Sequence, residues 1–155
     1  MRTPALILSL LVVAAPGTAA IAATKTGGPG ADQLVGTAGP DTLSGRGGND
    51  RIRGRGGNDR LLGGRGDDLV AGDAGNDVIV GGPGADTLLG GGGRDRINAA
   101  SRGDGTDVIF AGSGNDVVRA IDGSFDRITC GAGFDRVFAD RGDRVASDCE
   151  TVTRG

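Results

Sequence analysis

Apolar residues along this chain recur every nine positions, a spacing that fits neither an α-helix nor an ordinary alternating strand. Leu34, Leu43, Ile52, Leu61, Val70, Ile79, Leu88 and Ile97 stand nine apart, and each follows an aspartate by two residues. Those aspartates are Asp32, Asp41, Asp50, Asp59, Asp68, Asp77, Asp86 and Asp95. A glycine precedes each aspartate by five residues, from Gly27 to Gly90, and another by two, from Gly30 to Gly93. A fixed period of this length marks a repeat architecture. The triplet around each aliphatic, as in Thr87-Leu88-Leu89, reads as a short strand with its central side chain turned inward. One such strand buries nothing alone, whereas stacked strands bury their aliphatics as ladders. The spacing therefore predicts an all-β, parallel β-roll (a β-solenoid). Each repeat is a Gly-rich turn plus a strand of about three residues. Two nine-residue repeats make one coil, giving 18 residues per turn.

After Asn98 the period loosens. Asp107, Asp116, Asp126, Asp135 and Asp143 follow at uneven intervals, still with Ile109, Val118, Ile128, Val137 and Val145 two residues on. The leading glycine gives way to Ala99, Ala111, Ala120 or Cys130. Terminal repeats of a stack are atypical because they cap it. We therefore expect the same architecture to continue as degenerate repeats and an end cap. Cys130 and Cys149 stand 19 apart and are expected to form a disulfide that pins this cap, if the chain is exported. Phe125, Phe134 and Phe138 are expected to fill its core.

Export is what the N-terminus predicts. Residues 1–23 carry Arg2 as their only charge, an apolar run from Ala5 to Ala15, the Pro16-Gly17 break and then small residues. This is the pattern of a secretory signal peptide, with cleavage after Ala22 or Ala23. The run falls short of the about 20 residues that a membrane-spanning helix needs. No later segment forms such a span, so a secreted, extracellular product is expected. The chain then divides into a signal peptide at 1–23, regular repeats at 24–98, and degenerate repeats with the disulfide-pinned cap at 99–155.

Composition narrows the chemistry. Of 155 residues 33 are Gly and none is His, and aromatics make up 3%. Without His there is no Ser-His-Asp triad and no His-ligated zinc. Two cysteines cannot build a four-cysteine metal site or hold an iron–sulfur cluster. The acidic residues are almost all Asp, and most of them stand at one repeat position. Glycine turns can aim several carbonyl oxygens at one point, and an Asp closes each turn. Carbonyls plus carboxylates are the hard oxygen set that calcium prefers, whereas magnesium demands strict octahedral geometry and keeps its waters. Stacking puts Asp32, Asp50, Asp68 and Asp86 on one edge, and Asp41, Asp59, Asp77 and Asp95 on the other. Like charges about 4.8 Å apart repel, so such columns call for cations between them.

GGPGADQLV at 27–35, GGRGDDLVA at 63–71 and GGPGADTLL at 81–89 share one pattern, and GRGGNDRIR at 45–53 and GRGGNDRLL at 54–62 carry Asn before the Asp. This repeat resembles the RTX, or hemolysin-type, calcium-binding nonapeptide GGxGxDxUx. The resemblance implies a β-roll that binds several calcium ions between successive loops. It implies as ligands loop carbonyls and the side chains of the eight aspartates above, continuing to Asp107 and Asp116. Two features depart from that family's usual form: the N-terminal signal in place of a C-terminal export signal, and the absence of sequence left over for a protease, lipase or toxin domain. The expected function is a secreted, non-catalytic calcium-binding module.

An alternative is a surface adhesin or matrix protein holding an anionic polymer such as wall polysaccharide through Arg46, Arg51, Arg53, Arg55, Arg60 and Arg65. No nucleic acid is expected as partner, because no aromatics interleave with the arginines. A β-helical glycosidase using paired carboxylates is disfavoured, because sugar-stacking aromatics are missing and every repeat Asp occupies the same loop position.

Overall fold

The computed structural model describes residues 21–101 and 105–155. The expected signal peptide, up to residue 20, lies outside the described residues. The sequence forms one three-residue strand wherever an aliphatic stands between two turns, and longer strands where pairing continues into the turn. In chain order these are β1 (Thr24–Thr26), β2 (Gln33–Val35), β3 (Thr42–Gly47), β4 (Arg51–Gly56), β5 (Arg60–Arg65), β6 (Leu69–Ala74), β7 (Val78–Val80) and β8 (Thr87–Gly92). There follow β9 (Arg96–Asn98), β10 (Val108–Ser113), β11 (Val117–Ala120), β12 (Arg127–Ala132), β13 (Arg136–Ala139), β14 (Arg144–Val145) and β15 (Thr151–Arg154). Odd-numbered strands make an eight-stranded sheet and even-numbered strands a seven-stranded one. Every pairing is parallel, and the two sheets face each other as the walls of a β-roll of about seven turns.

The register follows the repeat. Leu43 pairs with Leu61, Leu61 with Ile79 and Ile79 with Ile97 on one wall. Leu34 pairs with Ile52, Ile52 with Val70 and Val70 with Leu88 on the other. The irregular spacing after Asn98 changes loop length but not register: Ile97 still meets Val118, and Leu88 still meets Ile109. The interior is these two aliphatic ladders back to back. Leu43, Leu61, Val70, Ile79 and Leu88 have no solvent exposure.

Two expectations need correction. Several strands run to six residues rather than three, because the ladder continues past the corner. The turns themselves stack by backbone hydrogen bonds, as in Gly48 N–H to Arg65 O at 2.8 Å. The phenylalanines, moreover, do not fill the cap. Phe125 is 69% and Phe134 61% exposed. An interior one ladder deep on each side holds branched aliphatics and alanines, with no space for a ring. Phe138 instead lies outside under Arg119, whose guanidinium stands 5.1 Å from the ring centre. Phe125 lies over Gly142. The expected disulfide is present between Cys130 and Cys149, whose Cα atoms are 5.2 Å apart. Among the described residues no helix is long and apolar enough to cross a membrane.

Candidate metal centre

Numbering each repeat from its leading glycine as position 1, the aspartate is position 6. The structure brings the predicted aspartates together as two columns, one along each edge of the roll. They do not rim the loops: they point inward beneath them. Asp41, Asp50, Asp59, Asp68, Asp77, Asp86, Asp95, Asp107 and Asp116 are all buried, and Asp32, in the first turn, is half-buried.

One carboxylate oxygen of each aspartate builds the stack. Asp50 Oδ1 accepts the backbone N–H of Asp32 at 2.8 Å, Asp68 that of Asp50, and Asp86 that of Asp68. On the other edge Asp59 accepts from Asp41, Asp77 from Asp59 and Asp95 from Asp77. The chain of rungs runs on through Asp107 and Asp116 to Asp126, Asp135, Asp143 and finally Glu150. These last four belong to the columns although the reading of the sequence stopped its site at Asp116. Their signal was the aliphatic two residues after each acid, Val152 after Glu150 included, which survives the uneven spacing.

The second oxygen has a different environment. Asp50, Asp59, Asp68, Asp77 and Asp95 each bury Oδ2 without a hydrogen-bond partner. It is aimed at the position-1 glycine of its own turn. A Cβ added to Gly45 would lie 2.0 Å from Asp50 Oδ2 and 2.5 Å from the carbonyl oxygen of Gly63. On Gly63 it would lie 2.5 Å from both Asp68 Oδ2 and Gly81 O. Gly54 and Gly72 repeat this with Asp59 and Asp77 and the carbonyls of Gly72 and Gly90. Gly27, Gly36 and Gly90 have it too. Seven cradles result, each a space where a carboxylate oxygen and the carbonyl oxygen of the next turn converge. Glycine is required at position 1 for room, since its φ there is not positive, whereas position 4, as at Gly48 with φ of 101°, needs glycine for conformation as well.

Electrostatics point the same way. Burial pushes the Asp68 and Asp77 carboxyls up to about 6 and the Asp95 carboxyl to about 7, with the like charge of neighbouring aspartates adding to the rise. Asp59, Asp116 and Asp143 are raised as well, again chiefly by burial. The backbone N–H bonds oppose this and do not outweigh it. A buried carboxylate with an unmet oxygen is costly unless paired with positive charge or metal. Among the described residues the one ion pair is Arg53 with Asp73, on the surface. Hard oxygens, converging in pairs and short of positive charge, fit calcium.

Other groups enter here that the sequence reading passed over. The position-5 side chain makes a second ladder running the opposite way. Asn49 Oδ1 accepts from the backbone N–H of Asp67, and Asn58, Asp67 and Asn76 do the same for the turn after theirs. The recurring Asn before Asp was its signal. Asp122 also joins Asp107 and Asp126, their carboxylate oxygens within 4.8 Å of one another.

The arginines do not share one face. Arg51 and Arg53 project from the seven-stranded sheet and Arg60 from the eight-stranded sheet, while Arg46, Arg55 and Arg65 stand where strands run into turns.

No curated protein matches the chain. The model of the RTX calcium-binding nonapeptide repeat matches residues 26–61, 62–97 and 103–120, more than half of the sequence. With a parallel roll and two inward columns of aspartate at the matched positions, the chain belongs to the RTX calcium-binding nonapeptide repeat family.

Proposed function

We propose that this protein is a secreted, non-catalytic module whose roll is completed by calcium held along both edges. The ligands in this reading are the side chains of Asp32, Asp41, Asp50, Asp59, Asp68, Asp77, Asp86 and Asp95, continuing to Asp107 and Asp116, with the position-1 carbonyls of the adjoining turns. The observation that carries it is the buried Oδ2 atoms of Asp50, Asp59, Asp68, Asp77 and Asp95, which lack a hydrogen-bond partner and face such carbonyls across a space only glycine leaves open. Calcium supplies there the positive charge that the columns lack.

The energetic role follows from the same atoms. The Asp59, Asp68, Asp77 and Asp95 carboxylates, which burial disfavours in charged form, oppose folding of the metal-free chain at neutral pH, and each ion removes that opposition, so binding free energy becomes folding free energy. Calcium modules outside the cell bind with Kd on the order of 10⁻⁴ to 10⁻³ M, and sites of that strength would suit a secreted chain. Secretion is supported by the signal-like residues 1–23 and by β1 beginning at Thr24, next to the expected cleavage positions. Calorimetric titration of the chelator-stripped chain tests the reading. Calcium should bind with multi-site heat that magnesium does not reproduce, and Asn at Asp50, Asp59, Asp68 and Asp77 should remove much of it. Binding unchanged in that variant would overturn the ligand assignment.

A further inference from the structure

The two halves of the roll differ at the one position where the cradles depend on glycine. Up to Gly90 every position 1 is Gly. The pairing register places Ala99 beside Gly81, Ala120 beside Ala99 and Ala139 beside Ala120 on one edge. On the other edge Ala111 stands beside Gly90 and Cys130 beside Ala111. All five are fully buried, at 0 or 1% exposure. Each therefore puts a Cβ into the space that the first half leaves empty.

That carbon changes what the turn can hold. Real Cβ atoms essentially never come within 3.0 Å of such neighbours, while the cradle oxygens of the first half lie 2.0–2.8 Å from the Cβ position. Asp116 and Asp135 in this half still bury an Oδ2 without a hydrogen-bond partner, but a turn with Ala or Cys must hold its carboxylate and carbonyl oxygens farther apart, and its own Cβ stands between them. The second half compensates with covalent closure between Cys130 and Cys149. It also carries the buried row Ile109, Val118, Ile128 and Val137.

We propose that calcium loading has a fixed end in this chain: ions occupy the cradles of residues 27–97, and the coils from Ala99 onward are sealed by side-chain carbon and close without metal. This rests on the calcium reading above and narrows it. It removes Asp107 and Asp116 from the ligand set, although the family match extends to residue 120. The roll then consists of a calcium-dependent segment seated on a calcium-indifferent, disulfide-closed cap.

Hydrogen exchange of the full chain read by mass spectrometry, in chelator and in millimolar calcium, tests this segment by segment. Solenoid repeats interact only with their neighbours, so the effect should stay local. The expected result is slowing by at least about tenfold across 27–97. No change is expected across 127–155, beyond the first coil after the boundary. Equal calcium-dependent slowing in 127–155 would overturn the proposal while leaving the calcium reading intact. So would slowing centred on the Asp107, Asp122 and Asp126 cluster. Exchange indifferent to calcium everywhere would overturn the calcium reading, and this proposal with it.

Discussion

Replacing Asp68 with Asn separates the two jobs of its carboxylate. The amide oxygen can still accept from Asp50 N–H, the bond that Oδ1 makes at 2.8 Å. The amide nitrogen takes the place of Oδ2 and can donate toward Gly81 O, on the far side of the Gly63 cradle. What is lost is the buried charge. A carboxyl raised from 3.8 to about 6 by burial costs the charged folded form about 3 kcal/mol at about 1.4 kcal/mol per pH unit. Solvent screening along the edge of the roll reduces this to about 1–3 kcal/mol. The folded value lies above the unfolded one, so the stabilisation from the neutral acid is complete below pH 3.8 and is lost as pH rises through about 6. The metal-free roll should therefore gain stability on mild acidification. Asp68→Asn should be more stable than the parent in chelator near pH 8, with the gap falling to about half by pH 5. In millimolar calcium the order should reverse, because the variant has lost a ligand. Urea unfolding followed by far-UV circular dichroism, at both pH values with and without calcium, reads all four conditions. A variant less stable than the parent in chelator at pH 8 would refute the reasoning, as would one that gains as much from calcium as the parent does.

Gly63→Ala should behave as a copy of the natural sealed turns, losing one calcium and about 1–3 kcal/mol by overpacking. Gly47→Ala, whose nearest neighbour to the new Cβ is 3.9 Å away, should lose neither, and dialysis against labelled calcium with a thermal melt compares them. Arg55 holds φ at 83° where Gly64, Gly82 and Gly91 stand in other repeats. Arg55→Gly should therefore raise stability by about 1 kcal/mol, seen as a higher melting midpoint in saturating calcium. Reducing the Cys130–Cys149 bond should cost about 2–4 kcal/mol. Proteolysis after reduction should cut first within 127–155, and cuts confined to 27–97 would argue against the cap's dependence on the bond.

The sequence carried the fold because the repeat is its own ruler. Asp at every ninth residue and Leu, Ile or Val two later determine the coil length, the pairing of Leu43 with Leu61, and which aspartates share an edge. What the spacing could not carry is depth. The stacking argument put the aspartates on two edges without fixing their depth; they lie beneath the turns, because Oδ1 finds a backbone N–H there one coil away. Nor does the spacing tell that position 1 is glycine for room, which the space facing Asp50 Oδ2 shows. For the same reason Ala99 and Cys130 read as mere decay of the pattern, when they change what the turn can hold. Aromatic residues near the cysteines looked like core, yet a one-ladder interior has no layer for Phe125 or Phe134.

Anomalous scattering at long wavelength from crystals grown in calcium would locate the ions directly. The account predicts peaks in two columns, each between an aspartate Oδ2 and the position-1 carbonyl of the next turn, along the edges of residues 27–97. A calcium-grown crystal with the roll intact and no peak at either column would contradict it.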